Sequence, residues 1–96
     1  MRIQYRARSL ADIDEIFSYI EERNPSGALN VLQAIFDGVQ HIAENPHAWQ
    51  ATNDPEIRVM VLQRYRYKIF YTILDHETVE IMHVRHTSRR PWEDSD

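Results

Sequence analysis

Hydrophobic residues recur along this chain with three different spacings, and the spacings divide it into elements. At the start, Ile3 and Tyr5 alternate with polar neighbours over Arg2 to Arg6, the period of a short strand. From Ser9 the period lengthens. Leu10, Ile13, Phe17 and Ile20, with Ile16 beside them, recur at three- and four-residue steps, which is the apolar stripe of an amphipathic helix. Ser9 with Asp12 three residues later matches a capping pair, and Asp12, Asp14 and Glu15 suit the positive end of the helix dipole. These carboxylates therefore read as a solvated helix start rather than as acid/base groups.

Asn24-Pro25 punctuates the chain: Asn suits an N-cap, and Pro suits the first helical position, where its missing N–H costs nothing. A second helix follows, with Ala28, Leu32, Ile35, Val39 and Ile42 in one line and Leu29, Phe36 and Ala43 flanking it, until Asn45-Pro46. Two helices joined by so short a link must fold back as an antiparallel hairpin, spanning about residues 9–45. Gly38 in mid-helix weakens it by about 1 kcal/mol relative to alanine, a cost that close packing on a neighbour would explain. The irregular connection NPHAWQATNDPE carries one large apolar group, Trp49, expected to pin the loop to the core.

The third spacing is a strand meander over about residues 57–86. Ile57 to Leu62 is almost continuously apolar, which predicts a strand near the sheet centre. Gln63 to Arg66 is a polar corner. Tyr67, Ile69, Tyr71 and Ile73 then share one face, and Lys68, Phe70, Thr72 and Leu74 the other. After Asp75-His76-Glu77, alternation through Thr78 to His86 puts Val79, Ile81, His83 and Arg85 on one face against Glu80, Met82, Val84 and His86. The expected fold is a single α+β domain over residues 1–96 in the order β-α-α-β-β-β. Its helical hairpin packs on one face of an antiparallel sheet, and a short tail occupies 87–96.

Composition narrows the function. The 96 residues contain no cysteine, which excludes a disulfide framework and Cys-based zinc sites, and no apolar run long enough to span a membrane. A cytoplasmic protein is expected. The net charge of −4 argues against direct binding of DNA by this chain alone. That charge is unevenly spread. Seven of the eleven basic residues fall between Ile57 and Trp92, and no acidic residue interrupts Ile57 to Leu74. Arg58, Arg64, Arg66, Lys68, Arg85, His86, Arg89 and Arg90, with Trp92 as an aromatic neighbour, are the candidate partner-binding rim. Guanidinium forks suit carboxylates and phosphates alike.

Candidate catalytic sets are sparse. The two glycines, Gly27 and Gly38, make no phosphate loop. His83 and His86, three apart on a strand, point to opposite faces, while His41, His47 and His76 lie apart from them, so no metal set forms. Ser88 beside His86 lacks a third member of a triad. No cofactor is called for.

The element order, together with DPEIRVMVLQRYRYKIFYTI and VEIMHVRHTSRR, resembles the RelE/ParE superfamily of type II toxin–antitoxin toxins over essentially the whole chain. The resemblance implies a small bacterial toxin silenced by an antitoxin that wraps its surface. Two chemistries occur in that superfamily. RelE-like members cleave mRNA on the ribosome. On that pattern Lys68 falls where one catalytic arginine sits, but Thr87 falls where another is expected, and no tyrosine follows Tyr71. Arg58, Lys68, His86 and Arg89 would then have to serve the scissile phosphate, with His86 alone suited to moving protons near neutrality. ParE-like members resemble this chain in the IFYTI and HVRH segments and are associated with inhibition of DNA gyrase through protein contact. The expectation is thus a ParE-like, non-catalytic gyrase inhibitor. The alternatives are a ribosome-dependent mRNA endonuclease and a degenerate fold kept as an antitoxin-binding module.

Overall fold

The computed structural model describes residues 1–87, and the elements follow the predicted order. They are β1 (Arg2–Tyr5), α1 (Ala7–Glu21), α2 (Pro25–Glu44), β2 (Arg58–Val61), β3 (Tyr67–Asp75) and β4 (Thr78–His86). The Asn24 side chain accepts the Gly27 amide at 3.1 Å with Pro25 opening α2, the cap expected from sequence. The start of α1 differs. The helix begins at Ala7, ahead of Ser9, and its N-cap Arg6 makes no side-chain cap. Ser9 is fully buried and its hydroxyl donates to the Arg6 carbonyl at 2.7 Å. Asp12 is buried as well, so neither residue belongs to a solvated helix end. Three-residue spacing that suits a cap also puts two side chains on one helix face, and here that face meets the sheet.

The sheet runs β1-β4-β3-β2. It is mixed rather than wholly antiparallel, because β1 pairs in parallel with β4, Ile3 beside Val79 and Tyr5 beside Ile81. The strand expected near the centre, β2, is an edge, and its Val61 is 54% exposed. Part of that edge is occupied by the preceding loop, where the Val59 amide donates to Gln50 and the Thr52 amide to Ile57. The centre is β4 with β3. Between them one extra residue, Met82, shifts the register after Tyr71–Ile81, so that Phe70 faces His83 and Ile69 faces Val84. Directly opposed residues share a face, so the shift moves His83 and Arg85 off the face of Val79 and Ile81 and brings Val84 and His86 onto it. This reverses the phase expected for the second half of β4.

The core lies between this face and the hairpin. Ile35, Val39 and Ile42 of α2 meet Met60, Ile69, Tyr71, Ile81 and Val84, with Ile13 from α1 and Trp49 packed at the margin. Val31 joins the buried stripe, whereas Leu10, Leu29 and Phe36 stay largely exposed. Gly38 is buried where a Cβ would stand 2.8 Å from Leu62 Cδ2 and 3.0 Å from Ile69 Cδ1, so its cost to the helix permits close approach to the sheet. Among the described residues, no helix is long and apolar enough to cross a membrane.

Candidate interaction surfaces

The basic residues singled out in the sequence do not form one rim. Arg58 stands opposite Tyr71 on the helix-side face at the β2 edge. Its Nη1 donates to the Trp49 carbonyl at 2.6 Å and reaches the His47 carbonyl at 3.4 Å, and the Tyr71 hydroxyl donates to the Pro46 carbonyl. These two side chains tie the irregular loop to the sheet. Burial lifts the Tyr71 phenol above the usual tyrosine range, and the Arg58 charge opposes that lift.

Lys68 and Arg85 lie directly opposite each other on the other sheet face, next to the Phe70–His83 pair. Two like charges in one cross-strand row raise the positive potential there. Arg85 is nevertheless buried at 8% exposure, whereas Lys68 is half-buried. His86 turns the opposite way, toward the hairpin side, where its ring meets Tyr67 edge to face at 5.3 Å. Arg64 and Arg66 are exposed in the corner before β3, with the Arg64 guanidinium 5.6 Å from the Tyr65 ring centre. The remaining candidates, Arg89, Arg90 and Trp92, lie outside the described residues.

The nuclease set is accordingly dispersed over the described residues. Lys68 and His86 project from opposite faces of adjacent strands, and Arg58 is engaged by loop carbonyls at the far end of β2. No group of three or more His, Asp or Glu side chains able to hold a metal ion occurs among the described residues.

Two features escaped the sequence. One is a set of exposed apolar side chains on the hairpin. Leu10, Tyr19, Leu29 and Phe36 are each at least 40% exposed, and Phe36 also meets Tyr5 edge to face at 6.2 Å. Periodicity puts Leu10 in the α1 stripe and Leu29 and Phe36 on the flank of the α2 stripe, and the available signal is that the two stripes are wider than one core face needs. The other is a polar contact between α1 and β4. Asp12 accepts the Val84 amide at 3.1 Å and Arg8 Nε at 3.1 Å. Its signal was a carboxylate in register with Ile13 and Ile16.

Comparison with known proteins agrees with this architecture. The model of the ParE toxin family, from the parDE type II toxin–antitoxin system, matches residues 3–91. A putative toxin, Y4kP of Sinorhizobium fredii, is 35% identical over 83 residues, covering 85% of this chain and 86% of its own length. Among solved structures, the chromosomal ParDE system of P. aeruginosa superposes with a TM-score of 0.79 at 20% identity, covering 92% of this chain and 97% of that one. The isolated E. coli RelE toxin gives a TM-score of 0.63 at 16% identity, covering 96% and 89%. RelE in its RelBE toxin–antitoxin complex superposes equally well, with a TM-score of 0.63 at 16% identity, covering 93% of this chain and 98% of that one. The fold is that of the RelE/ParE toxins, and the chain belongs to the ParE toxin family of type II toxin–antitoxin systems.

Proposed function

We propose that this toxin acts without chemistry of its own, by binding DNA gyrase in the cytoplasm, and that a cognate antitoxin neutralises it by covering its surface. The observation that carries the non-catalytic reading is the dispersal of Lys68, His86 and Arg58, because general acid/base work on a phosphate needs its groups within hydrogen-bond reach of one atom. A net charge of −4 also serves poorly the many phosphate contacts that entry into a ribosome demands. Two regions remain for proteins to meet. The outward apolar residues Leu29 and Phe36, seven positions apart on one side of α2, suit the apolar stripe of a partner segment and are the region we assign to the antitoxin. Lys68, with Arg85 opposite it on β4, and the exposed Arg64 and Arg66 suit an acidic protein surface, and we assign these residues, together with Arg89, Arg90 and Trp92, to the target.

Supercoiling by purified gyrase, measured with increasing amounts of the folded, antitoxin-free protein, tests the proposal. Loss of supercoiling or accumulation of cleaved DNA is expected, and Lys68→Glu weakens it. Unimpaired supercoiling by a protein shown to be folded overturns the gyrase assignment. Cleavage of mRNA on ribosomes, abolished by His86→Ala, would establish the nuclease alternative instead.

A further inference from the structure

Where β1 ends at Tyr5, β4 continues, and the backbone edge it exposes is covered by α1. Arg6 bridges the change-over, its amide donating to the Ile81 carbonyl at 2.9 Å. Nearly two turns further along α1, the Asp12 carboxylate takes over. Oδ2 accepts the Val84 amide at 3.1 Å, so a side chain supplies the acceptor that a neighbouring strand would otherwise provide. Oδ1 accepts Arg8 Nε at 3.1 Å. The same Oδ2 lies 3.6 Å from Nδ1 of His83. That nitrogen is buried and, among the described residues, makes no hydrogen bond, although the His83 side chain as a whole is 36% exposed. The ring thus has one edge open to protons from solvent and the other against a carboxylate already committed to a backbone amide.

The charges around His83 come from three elements. From α1 come Asp12, which favours a proton on the ring, and Arg8, which opposes it. Along β4 the nearby charge is Arg85, which also opposes it. Opposite on β3 stands the uncharged Phe70, with Lys68 next on that face. Desolvation is the largest influence and, with the two arginines, holds His83 below the usual histidine range in spite of Asp12.

We propose that His83 is a proton-operated latch on the seam between α1 and β4. With the ring neutral, Asp12 holds the Val84 amide and Arg8 together and α1 is fastened to the free stretch of β4. Proton uptake creates a third cation beside Arg8 and Arg85 and gives Nδ1 an N–H that competes with the Val84 amide for Oδ2. The amide loses its acceptor, and the first turns of α1, which carry Leu10, loosen from the sheet. The sign follows from linkage. The unfolded chain takes up this proton near pH 6.5 and the folded chain only lower, so the seam is fully fastened above about pH 6.5 and weakens as acidity increases. The latch depends on the α1–β4 geometry alone and is independent of what the toxin binds.

NMR of the full chain tests this by following the His83 ring shifts and the Val84 amide protection factor, corrected for intrinsic exchange, as pH is lowered. His83 is expected to titrate below its ordinary value. Val84 protection should fall about five- to tenfold along the same curve, the loss of one hydrogen bond, while Ile69 in the sheet centre keeps its protection. In His83→Gln the step at Val84 disappears. In Asp12→Asn, which keeps an oxygen for the Val84 amide but removes the carboxylate charge, the His83 midpoint moves further down. A midpoint at or above the ordinary value, a Val84 step that survives His83→Gln, or an upward move in Asp12→Asn overturns the proposal.

Discussion

Replacing Arg58 by alanine distinguishes a loop tether from a surface contact. In the sequence Arg58 counted among the partner-binding cations, yet its guanidinium is turned back onto the chain, donating to Trp49 at 2.6 Å and more weakly to His47 at 3.4 Å. A hydrogen bond from a charged donor contributes roughly 1.5–3 kcal/mol. Arg58 is only half-buried, so water replaces part of the interaction and the lower end, about 1.5 kcal/mol, applies. The longer contact is near the limit of a hydrogen bond and adds little. For a domain of this size each kcal/mol moves the melting temperature by roughly 4–8 °C, so Arg58→Ala should melt about 6–12 °C below the parent. Circular dichroism melts measure this. Hydrogen exchange gives a local readout, because the Val59 amide, bonded to Gln50 in the tethered loop, should lose protection well before Ile69 does. The Tyr71 phenol, no longer opposed by the guanidinium, should titrate higher still. Arg58→Lys keeps a cation without the fork and should fall between the two. A melt within roughly 2 °C of the parent, with Val59 protection unchanged, would refute the tether and return Arg58 to the surface candidates.

Two further substitutions test the packing that positions these surfaces. Ile35→Ala empties a fully buried position in α2 and should cost about 2–5 kcal/mol by urea denaturation with an unchanged slope, and a loss below about 1 kcal/mol would mean that this part of the core collapses freely. Tyr71→Phe leaves the Pro46 carbonyl without its hydroxyl donor and should cost about 1 kcal/mol, read in the same way; a neutral result would show that water substitutes for the phenol.

Much of the fold was legible because local signals agreed with one another. Asn24-Pro25 and Asn45-Pro46 bracket α2, and the alternation from Tyr67 onward gave β3 its core face, since turn chemistry and side-chain period act over only a few residues. What failed was decided at longer range. The extra residue Met82 is invisible in the alternation because both Met82 and Val84 are apolar, so either phase reads as acceptable until β3 sets the register. Continuous apolar character in Ile57 to Leu62 suggested a central strand, but nothing within the strand states how many neighbours it has. For the surfaces, composition and spacing point to a cluster of basic residues but carry no information about the directions of their side chains. The bulge and the loop carbonyls divide Lys68 and Arg85 from His86 and Arg58. Asp12 reads as a helix-end carboxylate in sequence because the capping pattern and an inward-facing polar pair share one spacing.

The parallel pairing of β1 with β4 joins residues 2–5 to residues 78–81, nearly the full length of the chain apart. During synthesis the first strand emerges early and waits, since the strand it pairs with, β4, is made after every other element among the described residues. The hairpin helices, whose contacts are local, are able to form meanwhile, but the sheet on which they pack lacks a central strand until residues 78–86 have been made. Every nascent chain interrupted before Thr78 therefore lacks the strand that joins β1 to β3, and whatever depends on the folded sheet waits until that strand has been made.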